Sequence, residues 1–163
     1  MAFLTQTMNA FTQTPILGLV DLIPSPSVFA AMFNPASTGV LQVGSVVKLI
    51  TGPSGLPLVD VCSGPTDGPV AGVVPYNERK NIYVPGDIIN LLGLSSYVYL
   101  KTSAAVARGD KVTTTSATLT ADPTVATVSS PTTQYVTGVA IDVASAANQL
   151  IRVRIYPSFN GGV

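Results

Sequence analysis

The stretch from Gln149 to Tyr156 most limits what this chain can become. In Gln-Leu-Ile-Arg-Val-Arg-Ile-Tyr, Leu150, Arg152, Arg154 and Tyr156 point one way, and Ile151, Val153 and Ile155 the other. Period-two alternation with β-branched residues on the apolar face marks a half-buried strand. A second run of β-formers, Tyr135 to Ile141, precedes it across the small-residue connection Ala144 to Asn148. The pair reads as two antiparallel core strands. Short alternating or apolar runs separated by Gly/Pro turns continue back to Val40, which predicts an all-β fold, a compact small barrel or a sandwich.

Three turns in this region share one form: Val43-Gly44-Ser45-Val46, Pro85-Gly86-Asp87-Ile88 and Arg108-Gly109-Asp110-Lys111. Each glycine can supply a positive φ, and the following Asp or Ser can accept from nearby backbone N–H groups. Two strands carry an internal glycine, Gly72 and Gly138, which suggests a bulge, a bend or close approach of another backbone. Turn, strand, strand, glycine-bearing strand thus occurs twice, which reads as two similar halves of one barrel or as chance likeness of β sequence.

Residues 1–40 differ. Asp21 is their only charge, they hold four of the five Phe, and prolines fall at positions 15, 24, 26 and 35. A disordered tail would be polar, and this segment is not. The expected division is an N-terminal arm over 1–40, lying on a neighbouring subunit or partner, and a β core over 41–163. The competing reading of the segment is a first strand and loop packed on its own core. Interface candidates in the arm are Phe3, Leu4, Phe11, Ile16, Leu17, Leu19, Val20, Phe29 and Phe33. In the core they are Arg79 and Lys80 of the charged loop and Arg152 and Arg154 of the polar strand face.

Chemistry is scarce. The chain has no His and one Cys, so zinc sites and His-dependent nucleophilic triads are excluded. Cys62 sits in an apolar run and reads as a small buried hydrophobe. The turn aspartates lack the dense spacing of a calcium loop. No catalytic residue, metal or cofactor is expected, and the chain reads as a non-enzyme. Formal net charge is zero and only 10% of residues are charged. That argues against nucleic acid, which needs clustered Lys and Arg, and for surface covered by other subunits. No apolar run has membrane-spanning length.

The Gly-Asp turns, the Gly72-Val73-Val74 strand and the ending Val136 to Asp142 with Leu150 to Ile155 resemble the small capsid decoration, or cement, proteins of tailed phages over about residues 40–157. The resemblance implies a compact β protein, commonly a homotrimer, made in the host cytoplasm. It would bind the outer surface of the capsid between capsomers, with the major capsid protein as partner, and stabilise the shell. A receptor- or glycan-binding module of a phage tail or surface structure is the alternative, with Tyr76, Tyr83, Tyr97 and Tyr99 as its candidate residues.

Overall fold

The computed structural model describes residues 16–21, 26–50, 55–116, 123–130 and 133–158. Among these the chain forms thirteen strands and no helix: β1 (Val20–Asp21), β2 (Val28–Phe33), β3 (Leu41–Gln42), β4 (Val46–Ile50), β5 (Leu58–Val61), β6 (Val70–Val73), β7 (Ile82–Tyr83), β8 (Ile88–Leu92), β9 (Tyr97–Thr102), β10 (Lys111–Ser116), β11 (Thr124–Thr127), β12 (Val136–Ala140) and β13 (Leu150–Ser158). The fold is all-β, as the alternation predicts.

The halves legible in the sequence do not share one barrel; each closes into its own. Strands β2-β5-β4-β6-β8 form the first closed barrel. Strands β9-β11-β10-β12-β13 form the second, shut by the pairing of β13 back onto β9. The topologies are the same. In each, the first strand pairs parallel with the third (β2 with β5, β9 with β11) and every other contact is antiparallel.

The correspondence holds residue by residue. Gly44 and Gly109 have φ of 81° and 88°. Their N–H groups donate to the carbonyls of Val74 and Ala140, at 2.9 and 2.8 Å. The next side chain closes each turn: Ser45 Oγ accepts from Gln42 N–H at 3.1 Å, and Asp110 Oδ2 from Ala107 N–H at 2.9 Å. Gly86, at φ 93°, repeats the form, with Asp87 Oδ2 accepting from Val84 N–H at 2.7 Å. Its counterpart in the second half carries no glycine. Asn148 takes φ 64° and donates to Thr102 O, as Gly86 donates to Phe33 O, while Gln149 Oε1 accepts from Ser145 N–H at 2.7 Å. Asn tolerates the left-handed region better than most residues, which hides this fourth turn from a search for glycine.

Gly72 and Gly138 answer to crowding. A Cβ on Gly72 would stand 2.5 Å from Leu92 O, and one on Gly138 would collide with Arg154 O. Leu92 and Arg154 are equivalents, paired with Val73 and Val139.

Inward residues of the first barrel, among them Phe33, Val47, Val59, Ile89 and Leu91, make one core. The second core runs across the junction, joining Val46, Val73 and Leu92 to Val98, Leu100, Ile151, Val153 and Ile155. The expected alternation of β13 holds: Ile151, Val153 and Ile155 are fully buried. Cys62 also lies in this core, where burial, helped by the charge of Asp67, pushes its thiol up to about 12.

The described residues of segment 1–40 do not form one arm. Phe3, Leu4 and Phe11 lie outside the described residues. Val28–Phe33 is a barrel strand, with Phe33 fully buried and Phe29 packed against the same core. The competing reading, a first strand on its own core, fits this part, because a six-residue apolar strand between prolines closes the barrel between β5 and β8. Ile16–Asp21 stitches the barrels together. Gly18 N–H donates to Tyr99 O at 2.7 Å, Tyr76 N–H to Gly18 O at 2.8 Å and Tyr99 N–H to Leu19 O at 3.0 Å. Val20 pairs with Val98, and Leu17 sits over Gly44. Ile16 is exposed.

Candidate functional site

The duplicated halves serve as controls for one another, and they differ most at one seam. In the second barrel, β12 and β13 pair from Val136↔Ser158 to Ala140↔Val153, and the ladder continues as Ile141 N–H donates to Arg152 O at 2.9 Å. In the first barrel, β6 and β8 share the single pair Val73↔Leu92. The position equivalent to Ile141 is Pro75, and that of Arg152 is Asn90. Proline has no N–H to give. The ladder stops there and the chain swings away as the charged loop 76–81.

The departure leaves a groove of about 760 Å3. It is lined by Val28 of β2 and Ile88 and Asn90 of β8, by Pro75, Tyr76 and Lys80 where the chain leaves the ladder, and by Val20 of β1 and Pro26. Tyr83 is buried in the first core yet also lines the groove, and Asn77 Nδ2 donates to its hydroxyl at 3.4 Å. The apolar lining is open to solvent: Ile88 is 65% exposed and Val28 54%. Ile82 and Val84, on the neighbouring stretch, are exposed as well. Apolar side chains gathered at a concave surface are the usual mark of a contact site.

Charge at the groove is balanced. Lys80 Nζ bonds Asp87 Oδ2 at 2.7 Å and lies 5.2 Å from the centroid of the Tyr83 ring. The Lys80 ammonium, with the Val84 N–H, holds the Asp87 carboxyl below its ordinary range. Glu78 and Arg79 stand exposed beside them. The structure thus brings two expected contact residues, Arg79 and Lys80, to an apolar groove. Asp87 and Asp110 act as turn acceptors, Asp110 also accepting from Thr127 Oγ1 at 2.9 Å.

Arg152 and Arg154 lie elsewhere, on the outer face of the second barrel opposite Tyr99 and Tyr97. Arg152 is held by Asp142, with Nε and Nη2 bonding its carboxylate at 3.0 and 2.8 Å and the Arg152 N–H adding a third bond at 3.0 Å. Arg154 reaches Ser95 Oγ at 3.3 Å. The Arg152 guanidinium first, then its N–H, lowers the Asp142 pKa against the opposing effect of burial. A lowered carboxyl contributes stability above the unfolded pKa of ~3.9 and loses it as pH falls through the folded value. Because the pair is partly exposed, Asp142→Asn is expected to lower Tm by only about 2–4 °C at pH 7. The gap from the parent should close below pH 3 in thermal scans across pH. A gap that persists in acid would assign the loss to packing instead.

Sequence reading missed Pro75, Val28 and Ile88 as site residues. The available signal was Ile88-Ile89: two successive apolar residues in a strand place one of them outward. Among the described residues no His, Cys, Asp and Glu gather in a group that could hold a metal ion. Of the tyrosines expected for glycan contact, Tyr83 is buried, Tyr76 lines the groove, and Tyr97 and Tyr99 are half-buried.

Comparison with curated proteins gave no match. Among solved structures, the head fiber gp8.5 N base of bacteriophage phi29 is similar, at 17% identity and TM-score 0.49 over 80% of this chain and 94% of that one. The family model described as XM1 gp53 minor capsid protein matches residues 22–155, a span that takes in the first barrel, nearly all of the second and every groove-lining residue except Val20, and the chain belongs to that family.

Proposed function

We propose that this phage virion structural protein is a cement protein, binding the outer surface of the capsid between capsomers, contacting the major capsid protein and stabilising the shell. Family membership carries the reading. Two further features support it. The groove of the first barrel offers apolar side chains with balanced charge, a composition suited to the core of a protein–protein contact. Low overall charge suits a chain much of whose surface is covered by other subunits. The acting form is a homotrimer, whose symmetry lets several modest contacts engage the shell together. The chain is made in the host cytoplasm and performs no catalysis.

The test is co-sedimentation of purified protein with undecorated shells. Binding should saturate at a fixed stoichiometry, and decorated shells should disrupt several degrees higher than bare ones. Unsaturable or absent binding, or unchanged shell melting, would remove the cement reading.

A further inference from the structure

The open seam exposes more than apolar side chains. Phe33 N–H donates to Asp87 O, so the main chain of Asp87 faces β2. Main-chain direction alternates along an antiparallel strand. Ile89 and Leu91 therefore bond toward β2, while Ile88 and Asn90 direct their N–H and C=O groups into the seam. Among the described residues no strand pairs with that edge, since β6 meets β8 only at Leu92. In the second barrel the equivalent edge is satisfied by β12 and Ile141. An unpaired edge beside exposed apolar side chains is a template for an added strand: main-chain bonds supply affinity and the flanking pockets select alternate side chains.

We propose that the N-terminal segment Met1–Pro15 of a second copy of this chain occupies the seam as an added strand along Ile88–Asn90. The proposal deepens the self-association in the reading above and rests on it. Charge matches: Glu78, Arg79, Lys80 and the Asp87 carboxylate that Lys80 bonds sum to zero, and residues 1–20 carry no charged side chain. Length matches: fifteen residues precede Ile16, and extended chain spans about 3.3 Å per residue, ample for a three-residue edge. Phe3, Leu4, Met8 and Phe11 supply apolar side chains to set beside Val28, Tyr76 and Ile88. The path of the chain favours a second copy. Val20 lines the groove, but upstream of it Leu17 is seated over Gly44, and neither is among the lining residues, so the described residues that lead toward the N-terminal segment lie off the groove. Passed from copy to copy, such a contact closes into a ring under cyclic symmetry.

Disulfide trapping in the full chain tests this. Asn90→Cys is combined in turn with Phe3→Cys, Thr5→Cys, Thr7→Cys, Asn9→Cys and Phe11→Cys. The buried Cys62 stays as it is, and each single variant serves as a control. Under mild oxidation at least one pair should give covalent multimers about tenfold above both controls, reversed by reductant. Ile88→Cys, at an exposed site, provides a second anchor if Asn90→Cys perturbs folding. Absence of trapping above controls at both anchors overturns the proposal, as does trapping confined to single chains. Shell co-sedimentation of the unoxidised variants keeps the two readings apart: saturable binding without trapping leaves the cement reading standing, and trapping without shell binding does the reverse.

Discussion

Gly138→Ala is expected to cost about 3 kcal/mol or more of stability, a large share of the ~5–15 kcal/mol available to a domain. The glycine is not required by its dihedral angles, because Gly138 is not among the residues with positive φ. It is required by space. The added methyl would collide with Arg154 O and stand 2.8 Å from Val153 Cγ1. The first is a backbone atom of the neighbouring strand and cannot rotate away. Relief means prying β12 from β13, an antiparallel seam held by four residue pairs. Gly72→Ala meets the equivalent carbonyl, Leu92 O, but on a seam joined by one residue pair, which can give. Its cost should be about 1–2 kcal/mol, at the lower end of overpacking penalties. Gly109→Ala is the control: its Cβ points into open space, and only the φ of 88° opposes it, at roughly 1–2 kcal/mol. Denaturant midpoints should show Gly138→Ala well below the other two. Equal losses at Gly138 and Gly109 would mean that strand approach does not set the glycine requirement.

The same glycines show what was legible in the sequence. Gly44, Gly86 and Gly109 announced their turns because a positive φ selects glycine, and Gly72 and Gly138 announced close approach because no other residue fits. These are local constraints written at one position. The fourth turn escaped because Asn148 meets the same demand with a different residue. That each half closes into its own barrel was not legible, because closure depends on the pairings of β2 with β5 and β8 and of β9 with β11 and β13, and alternation within a strand does not record its neighbours. The prolines around Val28–Phe33 and the scarcity of charge made that strand look like part of an arm, although a buried barrel strand shares the same composition. The groove was least legible. Pro75 carries meaning only when set against Ile141, and that alignment requires the two halves to be matched through their turns.

The groove also carries the largest expected effect on function. Ile88→Asp should weaken shell binding at least tenfold and up to about 100-fold, because burying an isoleucine contributes roughly 1.5–3 kcal/mol and each 1.4 kcal/mol is a factor of ten. A carboxylate brought into the contact adds desolvation cost in the same direction. Folding should be spared, since the side chain is already 65% exposed and its neighbour Ile89 supplies the core contact. Val143→Asp makes the matched control: Val143 is 63% exposed, away from the groove, and its replacement should change binding less than about threefold. The route of the loss can be read as well. If the groove touches the shell itself, Ile88→Asp leaves the protein's mass in solution unchanged and weakens every contact separately. If a second copy fills the groove, the variant falls to a smaller mass first, and shell binding drops because the contacts are no longer linked. Mass measured beside shell affinity for the two variants separates these routes. Equal binding by Ile88→Asp and Val143→Asp would remove the groove from either role.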